Sequence, residues 1–262
     1  MTRPVFLAED LSCVPSSLAV GERATLGGSE GRHAASVRRI GAGEWVDVAD
    51  GRGLRLTCEV VGADKSSLSL VVREVVQEES PRPEIILVQA LAKSGRDEAA
   101  VEICTEIGID RVIPWASQRA IVQWRGPKAE KGRAKWEGVA RAAAKQSRRA
   151  YVPVVEAVTD SRELSSWVRA LTDEAGAAFV CHEEATQSLG AALARVQGDA
   201  TDGSLPARVA LIVGPEGGIG PEETAQLVAA GARTVSLGAN VLRSSTAGAV
   251  ALTLIRAAAG AY

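Results

Sequence analysis

The rhythm of apolar and polar positions changes once along the chain. Up to about residue 74 the runs are short and alternate. Trp45-Val46-Asp47-Val48-Ala49 leads into Asp50-Gly51, a hairpin signal, and Leu54 to Val60 alternates as its partner. Ser67 to Val76 alternates again, and His33 to Arg39 predicts one short helix. Glu78-Glu79-Ser80-Pro81-Arg82-Pro83 is polar and proline-bearing, a linker signal. This predicts a small β domain over 1–74, a linker over 75–83 and a second domain over 84–262.

The second domain has a different beat. Ile85 to Leu91 is an unbroken apolar run of the doubly buried, parallel kind. Asp97 to Ile107 predicts a helix whose packed face holds Ala99, Ala100, Ile103 and Ile107. Strands follow at Arg111–Trp115, Val152–Ala157 and Ala177–Cys181. Helices fall at Gly132–Arg149, at Ser161–Glu174 with Ser161 as N-cap, and around Leu189–Val196. Strand and helix alternate, so the domain is α/β with a mainly parallel sheet.

Two units near the C-terminus carry the candidate chemistry. Val209 to Val213 breaks into Gly214-Pro215-Glu216-Gly217-Gly218-Ile219-Gly220-Pro221, and Thr234-Val235-Ser236-Leu237-Gly238 into Ala239 through Ala247. Ligands of parallel sheets bind where strand ends open into such loops, and glycine admits a ligand close to the backbone. Pro221 with Glu222 and Glu223 also suits an ordinary helix start, stopped by Gly231. Neither the dinucleotide glycine spacing nor the phosphate-loop ending is present.

Composition is that of a soluble globular protein, 46% hydrophobic and 24% charged, but with only 3% aromatic residues. The core must be built from Ala, Val, Leu and Ile. The N-terminal stretch shows no signal segment and no run reaches the length of a membrane helix, so a cytoplasmic protein without membrane contact is expected. Cys13, Cys58, Cys104 and Cys181 are dispersed and there are two histidines, His33 and His182, so no metal site is expected. Net charge is −2, yet residues 119–149 hold ten Lys/Arg against two acids. That local excess is a phosphate-binding footprint.

The segment Gly214 to Gly218, followed by Leu237-Gly238 and Val241-Leu242-Arg243, resembles the RsmE family. These are SPOUT-class methyltransferases that use S-adenosylmethionine to methylate N3 of a uridine in 16S ribosomal RNA. Arg3-Pro4-Val5-Phe6, His33 through Gly43, Lys93-Ser94-Gly95-Arg96, Thr105-Glu106-Ile107-Gly108 and Gln146-Ser147-Arg148-Arg149 extend the resemblance over nearly the whole chain. At Leu242-Arg243-Ser244-Ser245-Thr246-Ala247, Ser245 stands where the family has Glu.

The resemblance implies a PUA- or OB-like β-barrel ahead of a SPOUT-type parallel sheet with a C-terminal trefoil knot. It implies a homodimer acting on the small ribosomal subunit. S-adenosylmethionine would be held by Cys181 and His182, by Gly214, Glu216, Gly217, Gly218 and Ile219, and by Leu237, Gly238, Val241, Leu242 and Thr246. Leu237, Val241 and Leu242 would flank the adenine. RNA would meet Arg3, Arg38, Arg39, Arg125, Lys131, Arg133, Lys135, Arg148 and Arg149. Loss of the uridine N3 proton leaves a negative charge that a fixed guanidinium stabilises, which points first to Arg243 in the ligand loop. Arg96 resembles the family's second functional arginine, which the resemblance lets come from the partner subunit. Two further readings stay open: a SPOUT enzyme acting on another RNA, and a non-catalytic RNA-binding or ribosome-assembly factor, which Ser245 keeps in play. A Rossmann-type oxidoreductase comes last, for want of the glycine fingerprint and the ribose-binding acid.

Overall fold

The computed structural model describes residues 3–262; Met1 and Thr2, the first two positions of the 1–74 range, lie outside it. The chain divides into two compact units. One comprises the described residues up to Ser80 together with Ala142–Val152, the other Pro81–Arg141 and Pro153–Tyr262.

The smaller unit is a five-stranded sheet of β1 (Val5–Leu7), β2 (Arg23–Leu26), β3 (Trp45–Ala49), β4 (Leu54–Ala63) and β5 (Leu68–Gln77), in the order β1-β3-β4-β5-β2. The β1–β3 pair is parallel and the others antiparallel. The alternating side chains Val46, Val48, Leu56, Cys58, Val60, Leu68, Leu70 and Val72 turn inward around Phe6. The sheet curls into a half-closed barrel, and among the described residues a bridge from Leu11, beyond β1, to Leu26 of β2 joins its two sides. The β3–β4 turn is the expected one: Asp50 Oδ1 accepts from the amides of Arg52 and Leu54. Pairing of Arg55 and Leu56 with Val76 and Val75 carries β5 through Gln77, into the segment read as linker. Helix α1 (Gly28–Arg32) starts earlier than expected and ends in a wide π turn over His33–Val37, which leaves Arg38 and Arg39 exposed beyond it.

The larger unit contains β6 (Glu84–Ala90), α2 (Arg96–Ile107), β7 (Arg111–Ala116), α3 (Pro127–Gln146), β8 (Val154–Val155), β9 (Thr159–Asp160), α4 (Ser161–Asp173), β10 (Ala177–Cys181), α5 (Leu189–Asp199), β11 (Arg208–Val213), α6 (Pro221–Ala229), β12 (Arg233–Val235) and α7 (Ser244–Ala258). The last turn of α3 belongs to the smaller unit. The sheet order is β12-β10-β11-β6-β7-β8, and β9 pairs with β7. Every pairing is parallel. Alternation within β6 and β11 feeds two cores. Ile85, Leu87, Val209 and Leu211 pack with Val101 and Cys104 of α2, Trp136 and Ala140 of α3, Leu189 and Leu193 of α5, and Leu252 and Ile255 of α7. Ile86, Val88, Ala210 and Ile212 pack with Leu164, Val168 and Leu171 of α4 and Leu227 of α6.

Several expectations need correction. The buried face of α2 is Asp97, Ala100, Val101, Cys104 and Thr105, centred one position beyond the expected stripe, of which Ala100 is buried and Ile103 and Ile107 pack against the same core. Helix α3 begins at Pro127, whose missing N–H costs nothing in a first turn. The strand expected over Val152–Ala157 shrinks to two residues at a sheet edge. The N-cap of α4 is Asp160, not Ser161: its carboxylate accepts from the amides of Arg162 and Glu163, and Glu163 returns a bond to the Asp160 amide. In the single chain, Val250 and Leu254 of α7 are 36% and 39% exposed. Among the described residues no helix is long and apolar enough to cross a membrane.

Gly31 sits against backbone more closely than any other described glycine of the small unit. A β-carbon there would stand 2.3 Å from the Leu26 carbonyl oxygen and 2.7 Å from that of Ser66, both backbone. Gly31→Ala should therefore destabilise the small unit by about 3 kcal/mol, read in urea unfolding. Gly138→Ala, inside α3 where nothing beyond the helix's own backbone lies within 4 Å, should instead stabilise by about 0.5–1 kcal/mol.

Candidate active site at the carboxyl ends of three strands

From β6 the chain steps outward through β7 and β8, then returns to the other side of β6 for β10 and β11. Connections thus leave the adjacent strands β6 and β11 in opposite directions, the arrangement that opens a crevice at strand carboxyl ends. A cavity of about 1100 Å³ lies there, lined by the loops after β10, β11 and β12 and by the start of α7.

The loop after β11 closes on itself. Gly218 donates to the Pro215 carbonyl at 3.0 Å, and Ile219 folds back over Gly214 to 6% exposure. A side chain at Gly214 would meet Ile219 Cγ1 at 2.6 Å. Gly218 has φ +71°, which a branched residue adopts only under strain. The other two loops are zipped together: His182 donates its amide to Val235, Ser236 to Gln187, and Leu189 to Ser236. His182 Nδ1 accepts from the Glu184 amide at 3.2 Å. Burial pushes the Cys181 thiol up to about 12, so it stays protonated at neutral pH.

Two carboxylates fasten this assembly. Glu216 Oε1 accepts from the Lys93 amide and from Arg96 Nη1, both at 3.1 Å, tying the glycine loop to the turn before α2. That turn is made by Ser94 and Gly95, both left-handed. Glu223, in the first turn of α6, is 1% exposed. Its Oε1 accepts from the Gln118 amide at 2.8 Å and from Ser161 Oγ at 2.5 Å, and its Oε2 from the Gly220 amide at 3.4 Å. The sequence marked Glu223 only as a helix-start residue; nothing in it revealed these distant partners.

Cys181, His182, Gly214, Glu216, Gly217, Gly218, Ile219, Leu237, Gly238, Val241 and Leu242 all line the cavity, as do Arg96 and Arg243. Thr246 does not: it lies one turn into α7 and its hydroxyl bonds back to the Arg243 carbonyl at 3.1 Å. Val241 is 74% exposed, a rim residue rather than an interior wall. Glu183, Asn240, Thr224, Ser244 and Arg119 also line the cavity, though the sequence did not single them out. The hydroxyls of Thr224 and Ser244 are buried without a hydrogen-bond partner.

The cations expected to meet RNA fall into two classes. Arg3 pairs with Asp47 at 2.9 Å, Arg133 with Glu137 at 3.0 Å and Lys135 with Glu98 at 2.5 Å. Arg38, Arg39, Arg125, Lys131 and Arg148 make no ion pair among the described residues. Arg149 is engaged by neighbouring groups. The basic segment is therefore less free than its composition implied.

Removing the Glu223 carboxylate leaves the Gln118 and Gly220 amides and the Ser161 hydroxyl without this acceptor. Glu223→Ala should lower stability by about 2–4 kcal/mol in chemical unfolding. It should also speed amide exchange at Gln118 and Gly220 by more than the loss of global stability speeds it in the amides of β6.

Residues 78–256 match the RNA methyltransferase domain family, and residues 26–73 match the RNA methyltransferase PUA domain family. The ribosomal RNA small subunit methyltransferase E of Mycobacterium bovis is 43% identical over 232 residues, 88% of this chain and 85% of that protein. Its Bacillus subtilis counterpart is 28% identical over 87% of each chain. The crystal structure of the Neisseria gonorrhoeae ribosomal RNA small subunit methyltransferase E, bound to S-adenosyl methionine, superposes with a TM-score of 0.79 over 98% of both chains at 24% identity, a likeness of fold. Matched through both units and over most of its length, the chain belongs to the RsmE family of RNA methyltransferases.

Proposed function

We propose that this chain methylates N3 of a uridine in the 16S RNA of the small ribosomal subunit, with S-adenosylmethionine as methyl donor, and works as a homodimer. The observation that carries the reading is that, in a member of the RsmE family, two glycine-bearing loops and Arg243, which has no acid partner among the described residues, converge on one cavity.

The cavity suits the donor. Gly238, at φ +126°, has no atom within 4 Å of where a side chain would stand, so its backbone lies open to a ligand. Leu237 and Leu242 offer an apolar wall, and the unpartnered hydroxyls of Thr224 and Ser244 offer polar contacts. Bound there, S-adenosylmethionine supplies a methyl group activated on a sulfonium. The chain's own part is alignment and charge. A thiol held at about 12 is a poor nucleophile, which supports direct transfer to the base rather than relay through Cys181. Arg243 is the N-cap of α7 with extended backbone, which sets its guanidinium at the cavity, where it balances the charge left on the uridine carbonyls. Arg96, already neutralised by Glu216, holds the glycine loop in place.

The knot belongs to the same proposal. Helix α7 returns from edge strand β12 to pack on β6 and β11 with α2 and α5, the crossing a SPOUT knot requires. Dimerisation is supported by Val250 and Leu254, one turn apart on α7, which a single chain leaves exposed.

Arg243→Ala should lower the single-turnover methylation rate by about 10²–10³ at saturating donor, with RNA binding retained and poor rescue by lysine. A near-wild-type rate would remove Arg243 from the chemistry. Leu254→Asp should convert a dimer at micromolar concentration to a monomer in light scattering. Wild-type protein that scatters as a monomer would end the dimer proposal.

A further inference from the structure

Three arginines line the cavity, and they are not equivalent. Arg96 is committed to Glu216 and Arg243 opens α7. The third, Arg119, stands on the loop between β7 and α3. Its Nη1 donates to the Gly217 carbonyl at 3.2 Å, and its Cβ and carbonyl oxygen lie 3.4 Å from where a Gly217 side chain would begin. It is exposed and has no acid partner among the described residues. A guanidinium has five N–H donors, and Gly217 takes one.

The loop beneath it is tied at both ends. On one side the Gln118 amide rests on buried Glu223. On the other Trp124 stands edge-on to Trp136 at 5.0 Å, in space that Gly132 leaves free. The charge is thus held at a fixed point of the cavity wall, facing water, with four donors to spare. A planar fork in that state suits an anion with two oxygens.

We propose that Arg119 binds a phosphodiester of the RNA, next to the nucleotide that enters the cavity. This rests on the methyltransferase reading. A phosphate is favoured over the carboxylate of the methyl donor because the side chain is solvent-exposed, where a polymer passes. A small donor sits inside, between the two glycine loops.

The test is Arg119→Gln, compared with wild type in two titrations. One follows a 16S RNA fragment by fluorescence anisotropy across a range of salt; the other follows S-adenosylmethionine by calorimetry. RNA affinity should fall about threefold to tenfold, and the slope of log K against log salt should become shallower by about 0.7–0.9. Donor affinity and the unfolding midpoint should not move, and Arg119→Lys should keep most of the slope. A slope unchanged in Arg119→Gln overturns the proposal, and so does weakened donor binding with the slope intact, which would place a carboxylate there. Absence of RNA binding by the wild-type chain would overturn the methyltransferase reading instead.

Discussion

Everything at the site depends on the parallel seating of β11 between β6 and β10. Val209, Ala210, Leu211, Ile212 and Val213 are each 2% exposed or less, with helices over both faces. A strand in that position can satisfy its backbone only in the plane of the sheet, and its register admits no slip, since one residue would exchange the two faces. Val213 is thereby set beside Gln89 on one side and Cys181 on the other. The loops after β6, β10 and β11 emerge at one level for that reason.

A second constraint is electrostatic. The loops that emerge there are mostly glycine and small residues, with little apolar surface to hold them. Glu216 and Glu223 take that part, and burying Glu223 is tolerable because donors from three separate segments converge on it. The smaller unit uses the same device: Asp47, 6% exposed, gathers Arg3, Arg55 and Thr57. Such pairing sorts the arginines. Those facing a buried carboxylate become fasteners, and those left over retain a net field for an incoming polyanion.

The strands β6, β10 and β11 were legible because an uninterrupted apolar run bounded by glycine or polar residues has few other uses. The errors fall where the local signal is degenerate. Asp160 and Ser161 can each cap a helix, and Glu163, three residues beyond Asp160, decides between them. The face of α2 was misjudged because Ala99 through Cys104 is apolar or small on nearly every side, so periodicity carries little information. Strand β1, three residues long and paired in parallel with β3, was beyond any pattern argument. The glycine loops announced the cavity, but the contact of Arg119 with Gly217 joins positions 98 residues apart and leaves no trace in local sequence.

The re-entry of Ala142–Val152 into the smaller unit bears on how the chain is made. Ala150 packs with Val5 and Ala49, Tyr151 bridges to Gly51 and Arg52, and Lys145 pairs with Glu30. When Ser80 leaves the ribosome, all five strands of the small sheet have been synthesised, yet part of its packing has not. At roughly 5–20 residues per second, the missing segment follows several seconds later. During that interval the nascent barrel waits with an open flank, and it is completed only when about a third of the second unit's residues have already emerged.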